Sequence, residues 1–182
     1  MNSQPLALRF YGDPILRRKG VPVVAFDAGL RERVEAMFEC MYREAGIGLA
    51  APQVGLEQRL FVVDVEGDDG ARVKRAFVNP VIRERKGAFV AEEGCLSIPG
   101  IRADVKRADF VVVDAIDEWG QPFRLETHGL LSRAIQHEMD HLDGILFIDR
   151  LSAIHRKLIE GKLRKSRPAG APAEAHGSTP SL

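Results

Sequence analysis

The 182 residues are enough for one domain with its own core and too few to expect two. Apolar residues make up 45% and charged residues 29%, a balance that excludes a disordered or membrane-embedded chain and fits a globular one. Lysine plus arginine and aspartate plus glutamate both number 26, so no net field steers the chain to DNA or an anionic membrane, and any basic docking surface has to be local.

The N-terminal stretch MNSQPLALRF has no apolar core long enough for a signal peptide, and no run approaches the roughly 18 residues of a spanning helix, which predicts a cytoplasmic protein. Tyr11-Gly12-Asp13-Pro14 reads as a turn. Asp27 is then a suitable N-cap for a helix running to about Glu44, with Gly46 as its stop. Cys40 falls on the apolar spacing of that helix with Leu30, Val34, Met37 and Met41, the pattern of a buried, inert thiol. A glycine-rich loop follows. Leu60–Val65 and Ala76–Arg83 form a predicted hairpin around the polar turn Glu66–Gly70, and Phe110–Ile116 with Pro122–Glu126 form a second. From Gly129 to Leu142 the pattern turns helical, with Leu130, Leu131, Ala134, Ile135 and Leu142 apolar and Gly144 closing it. Strands that precede a helix without alternating with it predict an α+β fold, antiparallel sheets around that helix. Ser152–Lys165 reads as a basic C-terminal helix, and the Pro-, Ala-, Gly- and Ser-rich 166–182 as a disordered tail, leaving 1–165 as one domain.

Inside the penultimate helix lies His137-Glu138-Met139-Asp140-His141, an HExxH pattern. Positions four apart share one helical face, so both imidazoles can reach one metal ion while Glu138 stands beside it as a base. A catalytic site needs a third protein ligand. Position 147, where a further histidine would complete one common variant, is Phe147, and Asp143, Asp149, Glu160 and Glu174 are poorly placed. Upstream, Cys95 in Glu93-Gly94-Cys95-Leu96-Ser97 supplies a thiolate suited to iron(II) or zinc and completes a Cys-His-His set. The third stretch, Gly46-Ile47-Gly48-Leu49-Ala50-Ala51-Pro52-Gln53, follows a helix and contains a proline, which excludes a nucleotide loop. Its small residues point to a backbone approached closely by another strand or an extended peptide. Gln53 is either an amide donor at that surface or a solvated loop residue.

Together, GIGLAAPQ, EGCLS and QHEMDHLDG resemble the three signature motifs of the peptide deformylase family, in order and spacing, over about Leu8 to Leu151. The uninterrupted run into a helical C-terminus is similar to that family's type I branch. The resemblance implies an enzyme that hydrolyses the N-formyl group of N-formylmethionyl nascent polypeptides and releases formate. It implies one divalent ion, Fe(II) first and Zn(II) or Ni(II) as substitutes, held by Cys95, His137 and His141. Glu138 would carry the proton, while the Gln53 amide and the Leu96 backbone N–H would stabilise the developing negative charge. Gly46, Ile47 and Gly48 would hold the peptide as an added strand. Leu130 and Ala134 would line the methionine pocket, with Arg133 adjacent. A Glu93–Arg102 pair would support the cysteine strand and the substrate cleft, a plain surface ion pair being the other reading. The expected enzyme is monomeric, and its basic 152–165 helix either docks on the ribosome or is merely solvated. Two rivals stand beside this reading. A zincin-like endoprotease would not need Cys95, and a non-catalytic ribosome-associated metal module would not need Glu138 or Gln53.

Overall fold

Asp27 accepts the backbone N–H of Leu30 at 2.8 Å and starts helix α1, Ala28–Arg43. The computed structural model describes residues 5–67 and 70–165. The proposed tail and the tip of the Glu66–Gly70 turn therefore lie outside the described residues. Helix α1 ends one residue earlier than its glycine suggests. Ala45 takes the left-handed conformation (φ 55°), and the N–H groups of Ala45 and Gly46 return to the carbonyls of Tyr42 and Met41 at 3.0 and 2.8 Å. Gly46 serves a different contact. A Cβ there would lie 2.7 Å from Leu96 Cδ1, so the glycine lets two loops meet.

Seven strands follow: β1 Gly48–Ala50, β2 Leu60–Glu66, β3 Arg72–Lys86, β4 Phe89–Cys95, β5 Ile98–Arg107, β6 Phe110–Ile116 and β7 Pro122–Thr127. All their pairings are antiparallel. One sheet has the order β1-β2-β3-β6-β7, and β4 and β5 form a separate two-stranded sheet. The loop predicted after α1 thus contains a short strand. It pairs on one side with β2, through Leu49↔Val62, and is the edge of its sheet on the other. The β4–β5 hairpin is also absent from the sequence reading.

Strand β2 is buried on both faces, which explains its unbroken apolar run Leu60-Phe61-Val62-Val63. Leu60, Val62, Ala76 and Val78 pack against Leu30, Val34, Met37 and Met41 of α1, with Cys40 buried among them. Phe61, Val63, Phe77 and Val113, pointing to the opposite face, pack on helix α2, Gly129–Leu142, through Leu131, Ala134, Ile135 and Leu142. Each such leucine or isoleucine contributes roughly 1.5–3 kcal/mol by burial. Helix α2 therefore sits in the core, as an α+β fold with sheets around it requires. Its end is fixed by Gly144 (φ +72°), where a Cβ would lie 2.8 Å from the Arg17 carbonyl carbon. A third cluster, Leu16, Ile98, Val105, Leu146, Phe147 and Ile148, seats the β4–β5 hairpin. Ile159 and Leu163 of helix α3, Ala153–Lys165, pack on it. Among the described residues no helix is long and apolar enough to cross a membrane.

Candidate metal centre

The four-residue spacing in α2 places the His137 and His141 rings 5.0 Å apart, centroid to centroid. The end of β4 brings Cys95 to them, with its Sγ 3.3 Å from His141 Nε2. The ligand atoms of Cys95, His137 and His141 all lie within 4.8 Å of one another, the one such cluster of three among the described residues. A thiol and two imidazoles on a shared centre form a donor set that suits a divalent transition metal. The surrounding bonds fit this role. His137 Nδ1 bonds Glu93 Oε2 at 3.1 Å, which leaves Nε2 as the ring nitrogen that could meet an ion.

Glu138 is buried beside this group, and its Oε2 has no hydrogen-bond partner among the described residues. Burial pushes its carboxyl up to about 7, with the positive charge of His137 and Arg107 working against the shift. A divalent cation alongside would lower that value. Gly48 of β1 leaves the space that the carboxylate fills. A Cβ on Gly48 would stand 3.0 Å from Glu138 Cδ and 3.1 Å from Cγ.

Gln53 is buried, not a solvated loop amide, in the 3-10 turn Ala51–Val54. Its Oε1 accepts the Ala50 N–H at 2.8 Å, while Nε2 faces Ser97 Oγ at 3.2 Å and Cys95 Sγ at 3.5 Å. Leu96 occupies the tight turn between β4 and β5, next to Cys95. A cleft of about 650 Å³ opens over the centre. Gly46, Ile47, Gly48, Gln53, Glu93, Cys95, Leu96, Arg102, Leu130, Ala134, His137 and Glu138 all line it, and His141 is buried beneath. Three distant stretches of chain thus converge on one surface.

One expected pair is corrected. Arg102 bonds Glu92 at 2.6 Å on the exposed side of the hairpin, not Glu93. Strand alternation is the cause. Arg102 sits opposite Gly94, so its face carries Glu92, and Glu93 points the other way into the core. There the Arg107 guanidinium grips Glu93 with two bonds of 2.9 Å and reaches Asp140 at 2.5 Å, and Arg150 holds the other Asp140 oxygen at 2.5 Å. Burial alone would raise the Glu93 carboxyl, but the hydrogen bonds from His137 and Arg107 outweigh it and hold it at about 2. Glu93 thus acts as a support for His137, and its oxygens are already engaged. Sequence reasoning missed Arg107, Asp140, Arg150 and Ser97. Only Asp140 and Ser97 fall within the motifs, and nothing in their spacing marks them as partners of distant groups.

The family model described as polypeptide deformylase matches residues 5–157. A peptide deformylase from Acidobacterium capsulatum is 48% identical over 160 residues, covering 88% of this chain and 94% of its own length. Among solved structures, a peptide deformylase from Synechococcus elongatus in complex with actinonin has a TM-score of 0.80 at 41% identity, covering 89% of this chain and 87% of that one. A Met-Ala-Ser-bound class I type b peptide deformylase from Acinetobacter baumannii has a TM-score of 0.76 at 34% identity, covering 80% and 98%. This chain belongs to the peptide deformylase family, metal-dependent hydrolases that remove the N-formyl group from nascent polypeptides.

Proposed function

We propose that Cys95, His137 and His141 hold one divalent ion and that Glu138, Gln53 and Leu96 carry out the hydrolysis of N-formylmethionyl peptides. The observation that carries this reading is the meeting of one thiol and two imidazoles, within 4.8 Å, beside a buried carboxylate at the floor of a cleft. When bound, the ion supplies Lewis acidity, polarising the formyl carbonyl and lowering the pKa of a water molecule. Glu138 takes the proton that this water gives up and delivers it to the leaving amine nitrogen, so formate and a free α-amine result. Gln53 Nε2 has two hydrogens. One is held by Ser97, and the other, which faces Cys95 Sγ at 3.5 Å, turns to the formyl oxygen together with the Leu96 backbone N–H once that sulfur is committed to the ion.

The free edge of β1 receives the peptide as an added strand through Gly46, Ile47 and Gly48. Half-exposed Leu130 and buried Ala134 form the wall for the first side chain. The Acinetobacter baumannii relative was solved with Met-Ala-Ser bound, and a peptide of that class suits this cleft. Arg102, exposed at the rim, is placed to meet residues further along the substrate. Residues 1–165 act as one catalytic domain, monomeric and cytoplasmic. The ion is Fe(II), because a thiolate-imidazole set accepts it readily and the family resemblance favours it, with Zn(II) and Ni(II) able to substitute. Helix α3 meets the ribosome through exposed Lys157 and Arg164, since Arg156 is already held by Asp149 and Glu160 at 3.1 and 2.8 Å. Salt-sensitive pelleting with ribosomes checks that docking.

The test of the chemistry is formate release from formyl-Met-Ala-Ser by wild-type protein and by Glu138→Gln, prepared without oxygen, with metal analysis of both. Metal retention with turnover lowered by roughly 10²–10⁴ is expected for the variant. Wild-type turnover in Glu138→Gln would remove the proposed base.

A further inference from the structure

We infer that Arg133 is a positioning residue that couples the wall of the peptide cleft to the metal ligand His137 through the carboxylate of Glu93. The inference rests on the metal reading given above. Arg133 lies one helical turn before His137, the same spacing that aligns His137 with His141. It is 6% exposed, yet it lines the cleft beside Leu130 and Ala134. Its Nη2 donates to the Ala91 carbonyl at 2.8 Å and to Glu93 Oε1 at 3.2 Å, and its guanidinium lies 4.9 Å over the Phe89 ring. Nη1 is buried and has no hydrogen-bond partner among the described residues.

A charge count separates Arg133 from the other arginines here. Arg107 and Arg150 match Glu93 and Asp140 one for one. Arg133 brings an additional positive charge to this buried group, and Glu93 is its ion-pair partner. The other Glu93 oxygen bonds His137 Nδ1, so a single carboxylate stands between the cleft wall and the ligand. A carboxylate on the far side of an imidazole strengthens its donor nitrogen. A guanidinium on that carboxylate draws part of this strength away, which leaves His137 a weaker donor and the ion a stronger Lewis acid.

The test uses the Co(II)-loaded full-length protein as wild type, Arg133→Gln and Arg133→Lys, reading Co(II) affinity, the thiolate-to-cobalt absorption band and the hyperfine-shifted imidazole N–H resonances. Arg133→Gln keeps a donor for the Ala91 carbonyl but removes the charge. It is expected to bind Co(II) about tenfold tighter, to shift the His137 Nδ1 proton while leaving His141 in place, and to lower kcat by about the same factor. Arg133→Lys is expected to restore most of the wild-type values. Unchanged or weaker Co(II) binding in Arg133→Gln, or equal displacement of both histidine resonances, would overturn the coupling, since a merely structural role loosens the site as a whole. A wild-type protein without the thiolate band would instead overturn the metal reading, and the inference with it.

Discussion

Gly48 faces the Glu138 side chain so closely that a β-carbon added to it would meet Cδ at 3.0 Å and Cγ at 3.1 Å. The glycine is needed because an edge strand and a buried carboxylate occupy adjoining space. Gly48→Ala is therefore expected to leave the fold intact and to displace the Glu138 carboxylate. A shift near 1 Å at a catalytic group costs roughly 10²-fold in rate. Steady-state kinetics alongside a thermal melt check this, and unchanged kcat would remove the importance given to the contact.

Gln53 has a structural task and, in the proposed function, a chemical one. Replacing it with alanine strands the buried Ala50 N–H that its Oε1 now accepts, at a cost of about 1–3 kcal/mol in stability. Losing the Nε2 donor is expected to lower turnover by about 10²–10³. Ser97→Ala, which frees the amide without removing it, should have a smaller effect on both. Urea denaturation and kcat measured on the same preparations separate the two tasks.

The parts of this molecule that the sequence makes legible are those governed by local pattern. Asp27, the apolar period of α1, the run Leu60–Val65 and the Gly129–Leu142 helix each carry their signal within a few residues, and the structure forms each where expected. The β4–β5 hairpin does not. Its inward face carries the charged Glu93 and Arg107 while apolar Val90 is exposed on the other, which hides the pattern, and it is held by the separate Leu16–Phe147 cluster that no local window contains. Glu93 shows the same limit at the site. Its importance was legible from the motif, whereas its true partner Arg107 depends on strand facing, which requires the hairpin register. The stop of α1 at Ala45 rather than Gly46 was hidden because the glycine serves the contact with Leu96.

Arg107 holds two buried carboxylates, Glu93 and Asp140, and is itself 5% exposed. Arg107→Met removes the charge while keeping much of the volume, and it leaves both acids short of a partner. A loss of about 3–5 kcal/mol in unfolding free energy is expected, with metal retention weakened because Glu93 no longer holds His137 firmly. Denaturant titration with and without added metal measures both. A loss below about 1 kcal/mol would contradict the role assigned to the network.

Asp64 supplies a pH dependence separate from the groups of the metal centre. The hydrogen bonds from Arg72 lower its pKa, burial works against them, and the Tyr42 hydroxyl at 2.5 Å adds to the lowering. A carboxyl with a depressed folded pKa contributes fully above its unfolded pKa of about 4, and that contribution disappears as pH falls toward the folded value. Asp64→Asn is thus expected to be less stable than wild type at pH 7 and to lose less stability between pH 5 and 3. Parallel stability curves for the two proteins would contradict this.

In the proposed function a thiol from β4 and two imidazoles from α2 share one ion that the hydrolysis requires. The most direct measurement compares wild type and Cys95→Ala, both purified without oxygen, for bound metal per chain and for formate released from formyl-Met-Ala-Ser. One equivalent of metal and sustained formate release are expected in wild type, with both lost in the variant. Undiminished metal and turnover in Cys95→Ala would contradict this.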